Sequence, residues 1–175
     1  SGGVELLHAV GVTPEAPTLH AVFKIGDVQE ITAAHLKAAH QELSTFNDGP
    51  LDAVALGTPH FSLSEFAELV GLLDGRKVKA TTYISTSRGI REMLAAKGWL
   101  KLLQEAGVII PVDVCTYYSP KIQGLKGRVM TNAAKWAYYA PGMLGVAVCF
   151  GSLKECVESA VRGEVWRNPD LWISP

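Results

Sequence analysis

The sequence predicts an α/β fold: a mostly parallel sheet of βαβ units flanked by helices. Three observations predict it. Short apolar runs are bounded by turn residues, segments of helical period lie between those runs, and capping signals mark where the helices begin. Strands are expected at Glu5 to Val10, Ala53 to Leu56, Ala80 to Ile84, Val108 to Val114, Arg128 to Met130 and Gly145 to Cys149. Their alternation with helical segments is the pattern of parallel pairing, because a parallel connection must cross over the sheet.

Each intervening helix has a readable start. Thr13 followed by Pro14 reads as a cap with a first-turn proline. Thr32 opens Ala33 to Leu43, which is rich in good helix formers. Ser62 with Glu65 forms a capping box, and Leu63, Phe66, Leu69, Val70 and Leu73 then fall on one stripe. Ser152 with Glu155 repeats the device ahead of Leu153, Val157, Ala160 and Val161. A polar joint, Ser44 to Pro50, divides an N-terminal lobe (1–46) from the main α/β unit (51–163), and 164–175 reads as an irregular arm bearing Trp166 and Trp172. The opening Ser1-Gly2-Gly3, directly ahead of an expected strand and without an initiator Met, reads as a chain cut from something longer.

Composition narrows the function classes. At 175 residues, 48% hydrophobic and 19% charged, with a formal net charge of -1, the chain has the makeup of an ordinary globular domain. Sixteen Lys and Arg against seventeen Asp and Glu form no dense basic run, so a nucleic-acid partner is not expected. No apolar stretch approaches the roughly 20 residues that span a bilayer, and neither membrane insertion nor a charged leader is expected. The three cysteines, Cys115, Cys149 and Cys156, match no disulfide or zinc spacing and fit a reducing, cytoplasmic setting.

In an open α/β sheet, ligands bind beyond the carboxyl ends of the strands, so the residues following each strand are the candidates. They are Gly11 to Glu15, Gly57 to His60, Ser85 to Arg88, Cys115 to Pro120 and Thr131 to Lys135. Arg88 would take a carboxylate through two parallel N–H bonds; the plainer reading is a surface arginine capping a neighbouring loop. Ser87 reads as a helix N-cap, a catalytic hydroxyl, or both. His60 suits a general acid/base or a satisfied structural histidine. Cys115 is the one cysteine at this edge, although a lone cysteine is usually just a small buried residue. Asn132 and Lys135 would anchor a carboxylate or hydroxyl, or Lys135 is simply exposed in a first helical turn. Trp136, Tyr138 and Tyr139 read as packing. No dinucleotide or P-loop glycine pattern follows a strand.

The strings HAVGVTPEAPT, ALGTPHFSLSEF, TSR, the Cys115 loop with its Ser-Pro, MTNAAKWAYYAPG and FGSLKECVESAVRGE, in that order, resemble the large catalytic domain of the aconitase X family. The resemblance covers nearly the whole chain and implies the C-terminal part of that domain. It implies a dehydratase acting on a small hydroxy acid at an iron centre, with cis-3-hydroxy-L-proline as the expected substrate and phosphomevalonate as its rival. On this reading Cys115 matches a metal-holding cysteine. Thr58 departs from members with Cys in the Gly-x-Pro-His loop, which favours a mononuclear or 2Fe–2S centre over a four-iron cluster. Arg88 and Lys135 would hold the carboxylate, Asn132, Thr13 and Glu15 would orient the substrate, and Ser87 or His60 would handle a proton. The resemblance also implies partners: an upstream part of the large domain and a small swivelling domain or subunit, which would supply the remaining metal ligands. A non-catalytic module binding a small anion or a protein partner is the alternative from a different class.

Overall fold

The computed structural model describes residues 6–117 and 125–172. Among these, five parallel strands form one sheet: β1 (Ala53–Leu56), β2 (Thr81–Ile84), β3 (Val108–Ile109), β4 (Arg128–Thr131) and β5 (Ala147–Phe150), in the spatial order β3-β2-β1-β4-β5. The helices are α1 (Leu19–Val22), α2 (Ala33–Glu42), α3 (Leu63–Leu73), α4 (Arg88–Ala96), α5 (Trp99–Glu105), α6 (Ala134–Leu144) and α7 (Leu153–Arg162). From β1 the chain steps outward to β2 and β3, then returns to the other side of β1 for β4 and β5. That reversal makes a topological switch point, where the loops leaving β1 and β4 diverge and open a crevice.

The register sorts side chains onto two faces. Val54, Met130 and Cys149 are in line across β1, β4 and β5, and they join α3 and α7 in one buried cluster. Ala53, Val129 and Val148 are in line on the opposite face, against Trp136, Ala137 and Ala140 of α6. Alternation within four-residue strands buried on both sides is what a central parallel sheet requires. Ala53 and Ala55 are small, which leaves room over β1 for the fully buried Trp136.

The two expected capping boxes are present. Ser62 and Ser152 accept from the amides of Glu65 and Glu155, and those glutamates reach back to the cap amides. Bidentate bonding of Arg76 to Glu158, at 3.1 and 2.6 Å, ties the end of α3 to α7. The free edge of β5 is covered by residues 44–46: Thr45 Oγ1 accepts from the Val148 amide, and Ser44 Oγ accepts from that of Phe150. The arm after α7 is held by Arg167, which donates to the Phe150 carbonyl and to Asn47.

Three sequence expectations are corrected. Residues 6–10 form no strand, and Leu6, Leu7 and Val10 are exposed; Glu5 lies outside the described residues. Among the described residues no strand lies beside it, so this apolar run has no ladder to join. Thr13-Pro14 does not begin a helix: the segment is a turn in which the Thr13 hydroxyl accepts from the Ala9 amide. The strand expected over Val108 to Val114 shrinks to Val108–Ile109 plus an isolated bridge from Val112 to Thr86, because Pro111 lacks an amide donor and Asp113 adopts φ 57°.

Candidate active site

The loops at the carboxyl ends of β1, β2 and β3 are sewn together by hydroxyls and amides. The Phe61 amide donates to the Ser85 carbonyl (2.8 Å), and the Thr86 hydroxyl donates to the Phe61 carbonyl (2.7 Å). The Asp113 amide donates to the Thr86 carbonyl, and the Ser85 hydroxyl donates to the Val114 carbonyl. On the other side of Cys115, the Thr116 hydroxyl accepts from the buried Trp136 indole N–H at 2.8 Å. Cys115 is thereby held between two anchored neighbours, one fixed to the β2 loop and one to α6.

These contacts frame a cavity of about 390 Å³ lined by Thr58, Pro59, Cys115, Tyr117, Lys135, Tyr139 and Met143. Thr58 and Pro59 come from the β1 loop. Lys135, Tyr139 and Met143 come from one stripe of α6, at i, i+4 and i+8, beside the face that Trp136, Ala137 and Ala140 bury. Another cavity, of about 280 Å³ among Val70, Arg76, Leu102 and Ala106, lies away from these strand ends and holds none of the expected groups.

The start of α6 breaks two local stability rules at this place. Its N-cap is Ala133, which has no side-chain cap bond, and its first turn carries Lys135 and no acid. An uncapped helix start leaves amides unpaired, and a lysine there sits at the positive end of the helix dipole. Both features cost stability and favour a bound anion.

Thr58 Oγ1 is shielded from solvent and has no hydrogen-bond partner among the described residues. Burial pushes the Tyr117 phenol up from its ordinary value, with Cys115 and then Tyr139 adding to the effect, so it stays protonated and able to donate. Burial likewise pushes the Cys149 thiol to about 11 and Cys156 well above its ordinary value. Both of those thiols are fully buried, whereas Cys115 is partly exposed.

The expected site residues separate into groups. Cys115 and Lys135 share the cavity. Arg88 begins α4 at the same end of the sheet but is bonded to Asp113, with Nη2 to Oδ2 at 3.0 Å and the amide to Oδ1 at 3.0 Å, as a loop-capping arginine would be. Ser87 caps α4 by accepting from the Ile90 amide. His60 is exposed beside Pro59, and Asn132 is half-buried just ahead of α6; neither lines the cavity. Thr13 and Glu15 lie in the N-terminal turn and do not line it either. Residues 118–120 of the Cys115 loop, including its Ser-Pro, lie outside the described residues. Sequence reasoning assigned Tyr117 and Met143 no role and read Tyr139 as packing; the four-residue recurrence from Lys135 was the signal that could have found the last two.

An iron centre can be tested against these groups. Cys115 lines the cavity and fits as one thiolate ligand of such a centre, whereas Thr58 lines the same cavity with its Oγ1 shielded from solvent. No group of three or more His, Cys, Asp or Glu side chains able to hold a metal occurs among the described residues, so further ligands would have to come from elsewhere.

Comparison with known proteins agrees with this architecture. Residues 51–162 match the family model described as the aconitase X third domain. The chain is 37% identical to cis-3-hydroxy-L-proline dehydratase of Pseudomonas aeruginosa, over 99% of its own length and 31% of that protein. It is 32% identical to the phosphomevalonate dehydratase large subunit of Methanocaldococcus jannaschii, over 90% of its length and 39% of that subunit. The crystal structure of Thermococcus kodakaraensis aconitase X in its holo-form superposes with a TM-score of 0.71 at 25% identity, over 84% of this chain and 37% of that one. The chain therefore spans about a third of the length of the relatives it matches. Sheet, helices and matched segment coincide, and the chain belongs to the aconitase X family.

Proposed function

We propose that this chain supplies one wall of a hydro-lyase site that removes water from a small hydroxy acid, cis-3-hydroxy-L-proline. The observation that carries the reading is the cavity at the switch point, which among the described residues both Cys115 and Lys135 line. Dehydration requires that a proton leave the carbon beside a carboxylate, that the resulting negative charge be stabilised, and that hydroxide depart. Lys135, at the start of α6, which has no side-chain cap, holds the carboxylate and the charge that develops on it. The protonated Tyr117 phenol adds a hydrogen-bond donor on the same wall. Iron, mononuclear or as a 2Fe–2S centre, would supply Lewis acidity to the leaving hydroxide when bound, with Cys115 as the group of this chain that would hold it.

The remaining roles are proposals of the same rank. Ser87 or His60 handles a proton, and Arg88, Asn132, Thr13 and Glu15 act as outer anchors, with Arg88 first having to leave Asp113. The partners are the upstream part of the large domain and a small swivelling domain or subunit, which complete the metal shell. Among the described residues no helix is long and apolar enough to cross a membrane, which suits the cytoplasmic setting proposed here.

Among the described residues Lys135 is the one cation on the cavity, which suits a substrate with a single carboxylate better than a phosphorylated acid, which brings more negative charge. The test is turnover of both substrates by the assembled enzyme. Water loss from cis-3-hydroxy-L-proline with none from phosphomevalonate is expected; the reverse preference would overturn the assignment.

A further inference from the structure

Four of the seven side chains around the cavity, Pro59, Tyr117, Tyr139 and Met143, carry no formal charge and bring ring or hydrocarbon surface to it. Tyr139 is fixed by two neighbours. Tyr117 stacks on it with centroids 6.1 Å apart at 20°, and Tyr138 meets it edge-on at 5.0 Å and 88°. Yet Tyr139 keeps 36% of its surface exposed and Met143 keeps 47%. A braced aromatic ring left open on a cavity is a preorganised contact surface, because its orientation is set before a ligand arrives.

Resting on the proposed hydroxyproline reading, we propose that Tyr139, braced by Tyr117 and Tyr138, determines specificity by receiving the pyrrolidine ring of the substrate. A cyclic imino acid has a carboxylate at one end and a saturated ring bearing a secondary ammonium at the other. Among the described residues the cavity offers Lys135 for the first and no acidic side chain for the second. The ammonium and its polarised C–H groups are met instead by the negative face of an aromatic ring. Lys135 and Tyr139 are one turn apart, about 6 Å along the α6 axis, a separation that a molecule of this size bridges. A phosphorylated acyclic acid has no cation to offer the ring, and its extra negative charge is repelled by the same face.

The test is a KM-against-kcat comparison in the assembled enzyme with cis-3-hydroxy-L-proline, using Tyr139→Leu, Tyr139→Phe and Tyr139→Trp, with iron content and circular dichroism as checks on folding. Removing the ring in Tyr139→Leu is expected to raise KM about tenfold with kcat little changed, the size of effect a desolvated cation–π contact gives. Phe and Trp, which keep a ring face, are expected to stay within about threefold of wild type. Unchanged KM in Tyr139→Leu, or Phe as impaired as Leu, would overturn the inference while leaving the hydroxyproline reading in place. Loss of iron or fold in Leu together with normal KM in Phe and Trp moves the decision to binding of L-proline, where a ring-dependent Kd across Phe, Trp and Tyr139→Met supports the wall and a flat series overturns it. A wild-type enzyme that ignores the imino acid and dehydrates phosphomevalonate would overturn the reading beneath it and the wall as well.

Discussion

Replacing Gly57 by alanine should damage the site's foundation far more than the same change at Gly75, and the difference can be worked from the structure. Both glycines have left-handed backbone, φ +75° and +71°. A Cβ at Gly57 would lie 2.2 Å from the Ser85 carbonyl oxygen and 2.9 Å from the Phe61 amide nitrogen, whereas one at Gly75 meets nothing within 4 Å. The left-handed penalty, roughly 1–2 kcal/mol, is common to both. At Gly57 the clash with two backbone atoms adds about 1–3 kcal/mol. Separating the Phe61 amide from the Ser85 carbonyl sacrifices a hydrogen bond worth about 1 kcal/mol more. Gly57→Ala should therefore cost about 2–4 kcal/mol beyond Gly75→Ala, which in urea unfolding followed by tryptophan fluorescence is a midpoint about 1 M or more lower. Coincident midpoints for the two variants would refute the reasoning, since only the close approach of the β1 loop to the end of β2 distinguishes them.

Two other outcomes are expected. In a native thiol titration Cys115 reacts first and Cys149 and Cys156 only on unfolding; Trp136→Phe, which removes the bond to Thr116, should accelerate Cys115 alone and cost about 1–3 kcal/mol. Acceleration at Cys149 instead would show that the indole supports the sheet and not the loop. Glu158, held below the ordinary carboxylate range by its bonds to Arg76, binds protons more weakly folded than unfolded. Its contribution is complete above its ordinary value of 4.5 and is lost as pH falls through the lowered folded value, so the melting temperature of wild type should fall in that window by more than that of Glu158→Gln. Equal acid losses in the two proteins would contradict this.

What could be read in advance from the residues was local. Ser62 with Glu65 and Ser152 with Glu155 announced α3 and α7, because a capping box is complete within four residues. The run Ala53 to Leu56 announced β1, because a strand buried on both faces is apolar throughout. It was also legible that residues following different strands would gather at one edge, since Cys115 and Lys135 line one cavity. What depended on distant partners was not. Residues 6–10 look like a strand, but among the described residues no strand pairs with them. Arg88 stood at a strand end like the others, but Asp113, far off in sequence, occupies its guanidinium. Tyr117 and Tyr139 form one wall only because the loop following β3 reaches α6, where Thr116 bonds Trp136 and Tyr117 stacks on Tyr139.

The most direct measurement sets Cys115→Ala beside Lys135→Met in the assembled enzyme and reads bound iron and KM for cis-3-hydroxy-L-proline in each. Cys115→Ala should lose iron while keeping its secondary structure, and Lys135→Met should keep its iron and raise KM about tenfold or more, as loss of a charge-assisted hydrogen bond does. Full iron in Cys115→Ala together with an unchanged KM in Lys135→Met would contradict the placement of a metal thiolate and a carboxylate anchor on one cavity.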